Sequence, residues 1–279
     1  MTSFQFQMTE DSLTIEQLLR EKWTVGKKTV HLMRMAKSVT DVDDTPLDWK
    51  TPLKVGTTIV CTVPDATSTY LPNEQKTVKV LFEDEHILGV WKPEGMATHP
   101  TKETENDTLM NIVFTYIAKN GGTYAEHIHR LDKGTSGVLL IAKHPIAKAM
   151  FDRMIENNEL TRVYEAELDG NLRRPRGTIN RPIGKDRHHP TRRRVSPTGQ
   201  KAVTHFKVLE RTDKTTIVEA RLETGRTHQI RVHFAHLGHP VTGDTVYEGS
   251  ETADGAFRLT ATELAFTHPF TKQKTTIHE

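Results

Sequence analysis

The 279-residue chain carries 38 basic and 36 acidic side chains, a formal net charge of +2, and 35% hydrophobic residues at a mean hydropathy of −0.55. At roughly 100–200 residues per domain, that is one large domain or two modest ones with a polar surface. No run nears the ~20 apolar residues of a membrane helix, MTSFQFQMTEDS is no secretion signal, and the lone Cys61 excludes disulfide frameworks and thiolate zinc clusters, so a cytoplasmic protein is expected.

Leu13, Ile15, Leu18 and Leu19 are spaced for a helix over residues 12–21, and Val30 with Met33 and Leu32 with Met35 predict a second over 30–37. After a polar stretch and Gly56 comes a short β-rich run, TTIVCTVP, closed by Pro64. Residues 65–77 hold few apolar groups and two turn formers, Pro72 and Asn73. They form the expected linker between a small unit, 1–72, and a larger one, 73–279.

From Val78, the runs VKVLF and ILGVW flank EDEH and predict a hairpin ending at Lys92–Pro93. Asp107 or Thr108 caps a helix to Lys119, with Leu109, Ile112, Val113, Tyr116 and Ile117 on one face. GVLLIAK, residues 137–143, reads as a buried strand, and Pro145 opens a helix to about residue 157. TRVYEAEL then alternates, placing Tyr164, Ala166 and Leu168 on one side. Strands are expected at 203–209 and 216–223. Thr227 is the expected cap of a helix carrying Ile230, Phe234 and Leu237, ended by Gly238 and Pro240. Strands and helices interleave without a regular βαβ period, which predicts a mixed α+β sheet rather than a doubly wound one.

Charge is unevenly placed. Between Arg173 and Arg194 there are nine basic side chains against one acid, Asp186, while acids gather at 41–48 and 83–85. Such a run is either a solvated loop or the basic side of a polyanion-binding surface.

Neither GxxxxGK[ST] nor GxGxxG occurs, so nucleotide-phosphate cradles lack support. Fifteen histidines, above all His228, His233, His236 and His239, invite a metal reading, but no HExxH pattern or nearby carboxylate cluster accompanies them, and no metal is expected. The run His129-Arg130-Leu131-Asp132-Lys133-Gly134-Thr135-Ser136-Gly137 stands apart, a dense polar stretch directly before a hydrophobic strand. By its chemistry alone, Asp132 is a nucleophile or base, or the carboxylate of an ordinary turn.

HRLDKGTSGVLLIAK resembles the signature of the RluA-type family of RNA pseudouridine synthases, in which the aspartate of HRLD is the catalytic residue. GVWKPEGMATHP (89–100) resembles the family's Lys-Pro-x-Gly block, Arg162-Val163-Tyr164 its active-site tyrosine strand, and GQKAVT (199–204) the piece after its basic insertion. LETGRTHQIRVHFAHLGHPVTGD (222–244) resembles its arginine motif, followed by Tyr247, and LTATELAFTHP its closing block. Order and spacing agree over about residues 78–270. Trp91 stands where the family usually has asparagine, and Thr260 where histidine is common. The N-terminal unit is similar in layout to a small alpha-L RNA-binding module.

The resemblance implies a mixed, largely antiparallel central sheet with flanking helices. It also implies an enzyme that isomerises uridine in structured RNA, ribosomal RNA first and transfer RNA second, as a monomer without cofactor. Asp132 is then the catalytic carboxylate. Arg226 is its expected charge partner, because a carboxylate in a water-poor pocket stays ionised beside an opposite charge. Tyr164 supplies a ring against the uracil and a hydroxyl for proton transfer. His129, Arg130 and Leu222 meet the everted nucleotide, and Arg192, Arg193 and Arg194 meet the RNA backbone. The competing readings are a non-catalytic RNA-binding protein on the same scaffold and a histidine-based metal hydrolase.

Overall fold

The computed structural model describes residues 2–63 and 66–279. Pro64, the expected close of the first β-rich run, lies outside them.

The N-terminal unit is built on a three-stranded antiparallel sheet. β1 (Thr2–Gln7) pairs with β3 (Thr58–Val63), which also holds the short β2 (Val39–Thr40). β1 escaped the sequence reading, although its alternation buries Phe4 and Phe6. α1 (Ile15–Gln17) starts from a capping box: Gln17 N–H donates to Thr14 Oγ1 at 3.2 Å and Thr14 N–H to Gln17 Oε1 at 3.0 Å. It widens into a π-type turn over Leu18–Lys22. α2 (Lys27–Met35) buries Val30 and Met33 and leaves Leu32 and Met35 exposed.

The remaining strands are β4 (Lys79–Glu83), β5 (Ile87–Lys92), β6 (Glu126–His127), β7 (Ser136–Ala142), β8 (Leu160–Asp169), β9 (Arg176–Asn180), β10 (Ile183–Lys185), β11 (Arg193–Val195), β12 (Val203–Arg211), β13 (Thr215–Leu222), β14 (Leu259–Thr267) and β15 (Lys274–His278). Ten of them form one sheet in the order β4-β5-β7-β14-β8-β13-β12-β9, with β6 on β7 and β15 on β14. Among the described residues β7 and β14 make its one parallel pair, through Ser136 with Thr260 and Gly137 with Ala261. β14 thus joins the half of the sheet formed by β4, β5 and β7 to the half formed by β8, β13, β12 and β9. Gly137, at φ +122°, is required here: a side-chain carbon would stand 2.1 Å from the Ala261 carbonyl oxygen.

The uninterrupted apolar run of β7 reflects cover on both faces. Val138, Leu140 and Ala142 face the N-terminal unit and α4 (Pro145–Glu156). Leu139 and Ile141 face α3 (Leu109–Lys119) and, within the same core, Ile230 and Phe234 of α5 (Gln229–His236). Residues 66–77 form no element, yet they are no free tether. Ser68 Oγ donates to Ala125 O at 2.7 Å, and Asn73 is fixed by Thr115 Oγ1 and Asn106 O.

Phe4 carries the N-terminal unit onto the sheet by packing against His86, His144, Phe270 and Trp23. The imidazoles there are hydrogen-bonded in series. Ala147 N–H donates to His144 Nδ1, which fixes a proton on His144 Nε2 for His86 Nδ1 at 3.0 Å. Burial pushes His86 down to about 4 and His144 to about 3, so both are neutral at pH 7.

Candidate active site

Asp132 sits in the loop between β6 and β7, and three contacts hold that loop. Thr98 Oγ1 donates to Leu131 O at 2.7 Å and accepts from Leu131 N–H at 3.2 Å. Lys92, fully buried at the end of β5, donates from Nζ to the carbonyls of Pro93, Met96 and Lys133. Burial lowers the Lys92 ammonium to about 8, against the pull of Asp132 and Glu94.

A cleft of about 500 Å³ opens over this loop. Asp132, Tyr164, Leu222 and Arg226 all line it, together with His129 and Arg130 from the sequence prediction. Tyr164 and Leu222 come from the adjacent strands β8 and β13, whose alternation turns both toward the cleft. The Tyr164 ring is buried, and burial, reinforced by Asp132, raises its hydroxyl above the usual tyrosine value.

The charge partner of Asp132 differs from the sequence expectation. Arg226 is turned aside: its Nε donates to Lys201 O at 3.1 Å and its Nη1 to Gln200 Oε1 at 3.1 Å. Arg231, one turn into α5, occupies the place instead, with Nη1 3.2 Å from Asp132 Oδ2. Its other nitrogens form a fork on Asp244, Nε to Oδ2 at 2.7 Å and Nη2 to Oδ1 at 2.8 Å. Asp244 is itself buried and accepts the amides of Val246 and Tyr247. Burial alone would lower the Arg231 guanidinium; the Asp244 and Asp132 carboxylates outweigh it and raise it, so the group stays a cation.

The start of α5 explains the switch. Gln229 accepts the Arg226 amide at 3.0 Å and donates to Val203 O, which ties the preceding turn to β12. The residue before the helix is His228, at φ +60°, in place of the expected Thr227 cap. His228 Nδ1 and the Tyr247 hydroxyl are hydrogen-bonded at 2.8 Å, that hydroxyl accepts the Arg193 amide at 2.9 Å, and His228 Nε2 stands 3.8 Å from Asp132 Oδ2. Burial lowers His228, opposed by Asp132.

Residues 86–236 match the family described as RNA pseudouridylate synthase, more than half of the chain. The chain belongs to the RluA-type family of RNA pseudouridine synthases. Residues 2–59 of this pseudouridine synthase match a second family, the RluD ribosomal pseudouridine synthase N-terminal domain. The synthase is 48% identical over 203 residues (72% of this chain, 67% of the other) to the Bacillus subtilis protein named "Uncharacterized RNA pseudouridine synthase YhcT". It is 38% identical over 206 residues to the "Ribosomal large subunit pseudouridine synthase D" of Nitrosomonas europaea, covering 70% of this chain and 60% of that one. Its fold is similar to that of human RNA Pseudouridylate Synthase Domain Containing 1, at a TM-score of 0.60 and 24% identity, over 75% of this chain and 85% of that one.

Other expected contacts of the synthase are redistributed. The His129 ring is buried, accepts the Leu140 amide at 3.4 Å and is pushed by burial to about 3. It is therefore a neutral group that supports the Asp132 loop at the wall of the cleft. Arg130 is exposed at the cleft. The basic run is only partly a loop: Arg176–Asn180 forms β9, and its end folds into the β10–β11 hairpin, with Lys185 opposite Arg193 across an exposed turn. Arg192 lies 5.3 Å over the Tyr247 ring and pairs with Glu248, Arg193 lines a hollow beside the cleft, and Arg194 is exposed. His233 bonds Thr204 and Arg181 O, and His239 bonds Asp169 O, so their ring nitrogens serve the fold. Among the described residues no helix is long and apolar enough to cross a membrane.

Proposed function

We propose that the cleft converts uridine to pseudouridine in ribosomal RNA, with Asp132 as the catalytic carboxylate. The observation that carries this reading is the state of that side chain. Arg231 holds Oδ2, and Oδ1 accepts no hydrogen bond among the described residues, in a cleft walled by the Tyr164 ring. The carboxylate is thus anchored at one oxygen and available at the other.

The reaction breaks a C–N bond and forms a C–C bond between the same base and ribose, so atoms and electrons balance without a cofactor. What the protein must supply is a group to meet the nucleotide, a wall for the loosened uracil and a place for its proton. Asp132 is the first and Tyr164 the second, and the Tyr164 hydroxyl, protonated at neutral pH, is the candidate for the third. A paired uridine reaches the cleft only when flipped out, at a cost of a few kcal/mol. Arg130, exposed at the cleft, is placed to fill the vacated position or hold a phosphate, and Arg192, Arg193 and Arg194 to meet the backbone. Ribosomal RNA is favoured over transfer RNA by the names of the matching N-terminal family and of the Nitrosomonas relative.

Carbodiimide-dependent primer-extension stops, mapped in ribosomal and transfer RNA with and without the gene, test the reading. A stop missing from large-subunit ribosomal RNA is expected, restored by the wild-type gene and not by Asp132→Asn, which lowers the modification rate by about 10³-fold or more. Restoration by Asp132→Asn removes the assigned carboxylate. A stop missing only from transfer RNA moves the substrate and leaves the chemistry.

A further inference from the structure

Beside the cleft, a second hollow of about 350 Å³ is lined by Lys185, Arg193 and Arg226, together with Gly199 and Gln200. Arg226 and Thr227 line both hollows, so the turn before α5 forms part of the wall between them. The three cations come from three places in the chain: the two strands of the β10–β11 hairpin and the turn before α5.

Their electrostatic state sets them apart from two neighbouring arginines, Arg192 and Arg231. Arg192 is taken by Glu248, and Arg231 by Asp132 and Asp244. Among the described residues, Lys185, Arg193 and Arg226 form no ion pair. Arg226 is nonetheless held in place, its Nε and Nη1 committed to Lys201 O and Gln200 Oε1, which leaves Nη2 without an acceptor. Arg193 is anchored through its amide to the Tyr247 hydroxyl, and its Nε is buried with no acceptor. Three convergent positive groups with unmet donors create a field that selects an anion, and guanidinium groups suit a phosphate's oxygens.

We propose that this hollow is a phosphate subsite, which takes the phosphodiester next to the uridine everted into the Asp132 cleft. The proposal rests on reading that cleft as the active site. An everted nucleotide brings its own phosphates to the mouth of the cleft, and the wall occupied by Arg226 is where one of them arrives. The two arginines of the motif then divide the work: Arg231 serves the carboxylate, and Arg226 binds the backbone. The subsite is also connected to the cleft, since the Arg193 amide, the Tyr247 hydroxyl and His228 run in series toward Asp132.

Unmodified large-subunit ribosomal RNA transcript, titrated at about 50 to 300 mM KCl, tests the subsite. Arg226→Gln and Lys185→Gln should each flatten the plot of log K against log salt by ~0.7–0.9, one phosphate contact. Arg226→Lys should restore most of the slope. In single-turnover modification of the same RNA, Arg226→Gln should slow the reaction about tenfold at low protein concentration, equivalent to one lost charge-assisted contact, and hold the saturating rate. Unchanged slopes in both Gln variants overturn the proposal. So does an Arg226→Gln protein that binds as wild type and loses its saturating rate, which would return Arg226 to the reacting base. Failure of the active-site reading shows elsewhere, as pseudouridine made by Asp132→Asn whatever the slopes are.

Discussion

At the cleft wall, Arg231 is buried against the carboxylate of the equally buried Asp244; beneath Phe4, His86 and His144 are buried as deeply and carry no charge. The first pair meets the cost of burial by a two-point fork, with the spare guanidinium nitrogen turned to Asp132. The second meets it by giving up the proton and hydrogen-bonding in series among aromatic rings. The difference follows function. A site that must present an ionised carboxylate needs a fixed counter-charge, whereas a contact that only holds two units together gains by having none.

Removing one partner tests that contrast most severely. Arg231→Met leaves Asp244 buried without its counter-ion and should cost about 3–5 kcal/mol in denaturant unfolding, with modification lost as well. Replacing the ion pair as a whole, Arg231→Met with Asp244→Leu, should recover part of the stability and none of the activity. If the double variant is as unstable as the sum of the singles, the fork is not what makes the charges tolerable.

At the other region, Phe4→Ala should cost about 3–4 kcal/mol, the usual range for an aromatic ring removed from a packed core, measured by the same unfolding curves. The saturating modification rate should hold, because the rings it packs on, His86, His144, Phe270 and Trp23, do not line the cleft. A loss of stability without change in rate separates the two regions; a matching loss of rate would join them.

Smallest is the acid dependence. Unfolded histidines take up protons as pH falls below about 6.5, while folded His86 and His144 resist until about 4 and about 3. In that window the unfolded chain binds more protons, so stability falls as pH falls and is fully present above it. Each histidine contributes at most about 1.4 kcal/mol per pH unit. His86→Gln should show a shallower decline than wild type in unfolding midpoints between about pH 6.5 and about 4, the range over which folded and unfolded His86 differ. Parallel curves would mean that the imidazoles are not held neutral.

Much of this architecture was readable where one periodicity dominates. The apolar run of β7, the alternation around Tyr164 and the capping signal at Thr108 each fix an element locally. β1 was missed because six residues, TSFQFQ, alternate too briefly to stand out until β3 pairs with them. The basic run read as a charge pattern because its strands are short and its arginines hide any apolar period. In the site, the motif around GRTHQIR was legible, but not which of its arginines meets Asp132. That choice is made by the backbone turn at His228, which places Arg226 before α5 and Arg231 within it, and by Asp244, thirteen residues further on.

The position of β14 bears on how such a chain is made. Its strand lies between β7 and β8, and the residues that complete this joint are separated by 124 positions, as Ser136 and Thr260 are. During synthesis the two halves of the sheet emerge long before the strand that links them, and the faces destined for β14 stay open until residues 259–267 leave the ribosome. Closure of the catalytic scaffold therefore waits for β14, and a nascent chain halted before that point holds the HRLD loop without a finished sheet behind it.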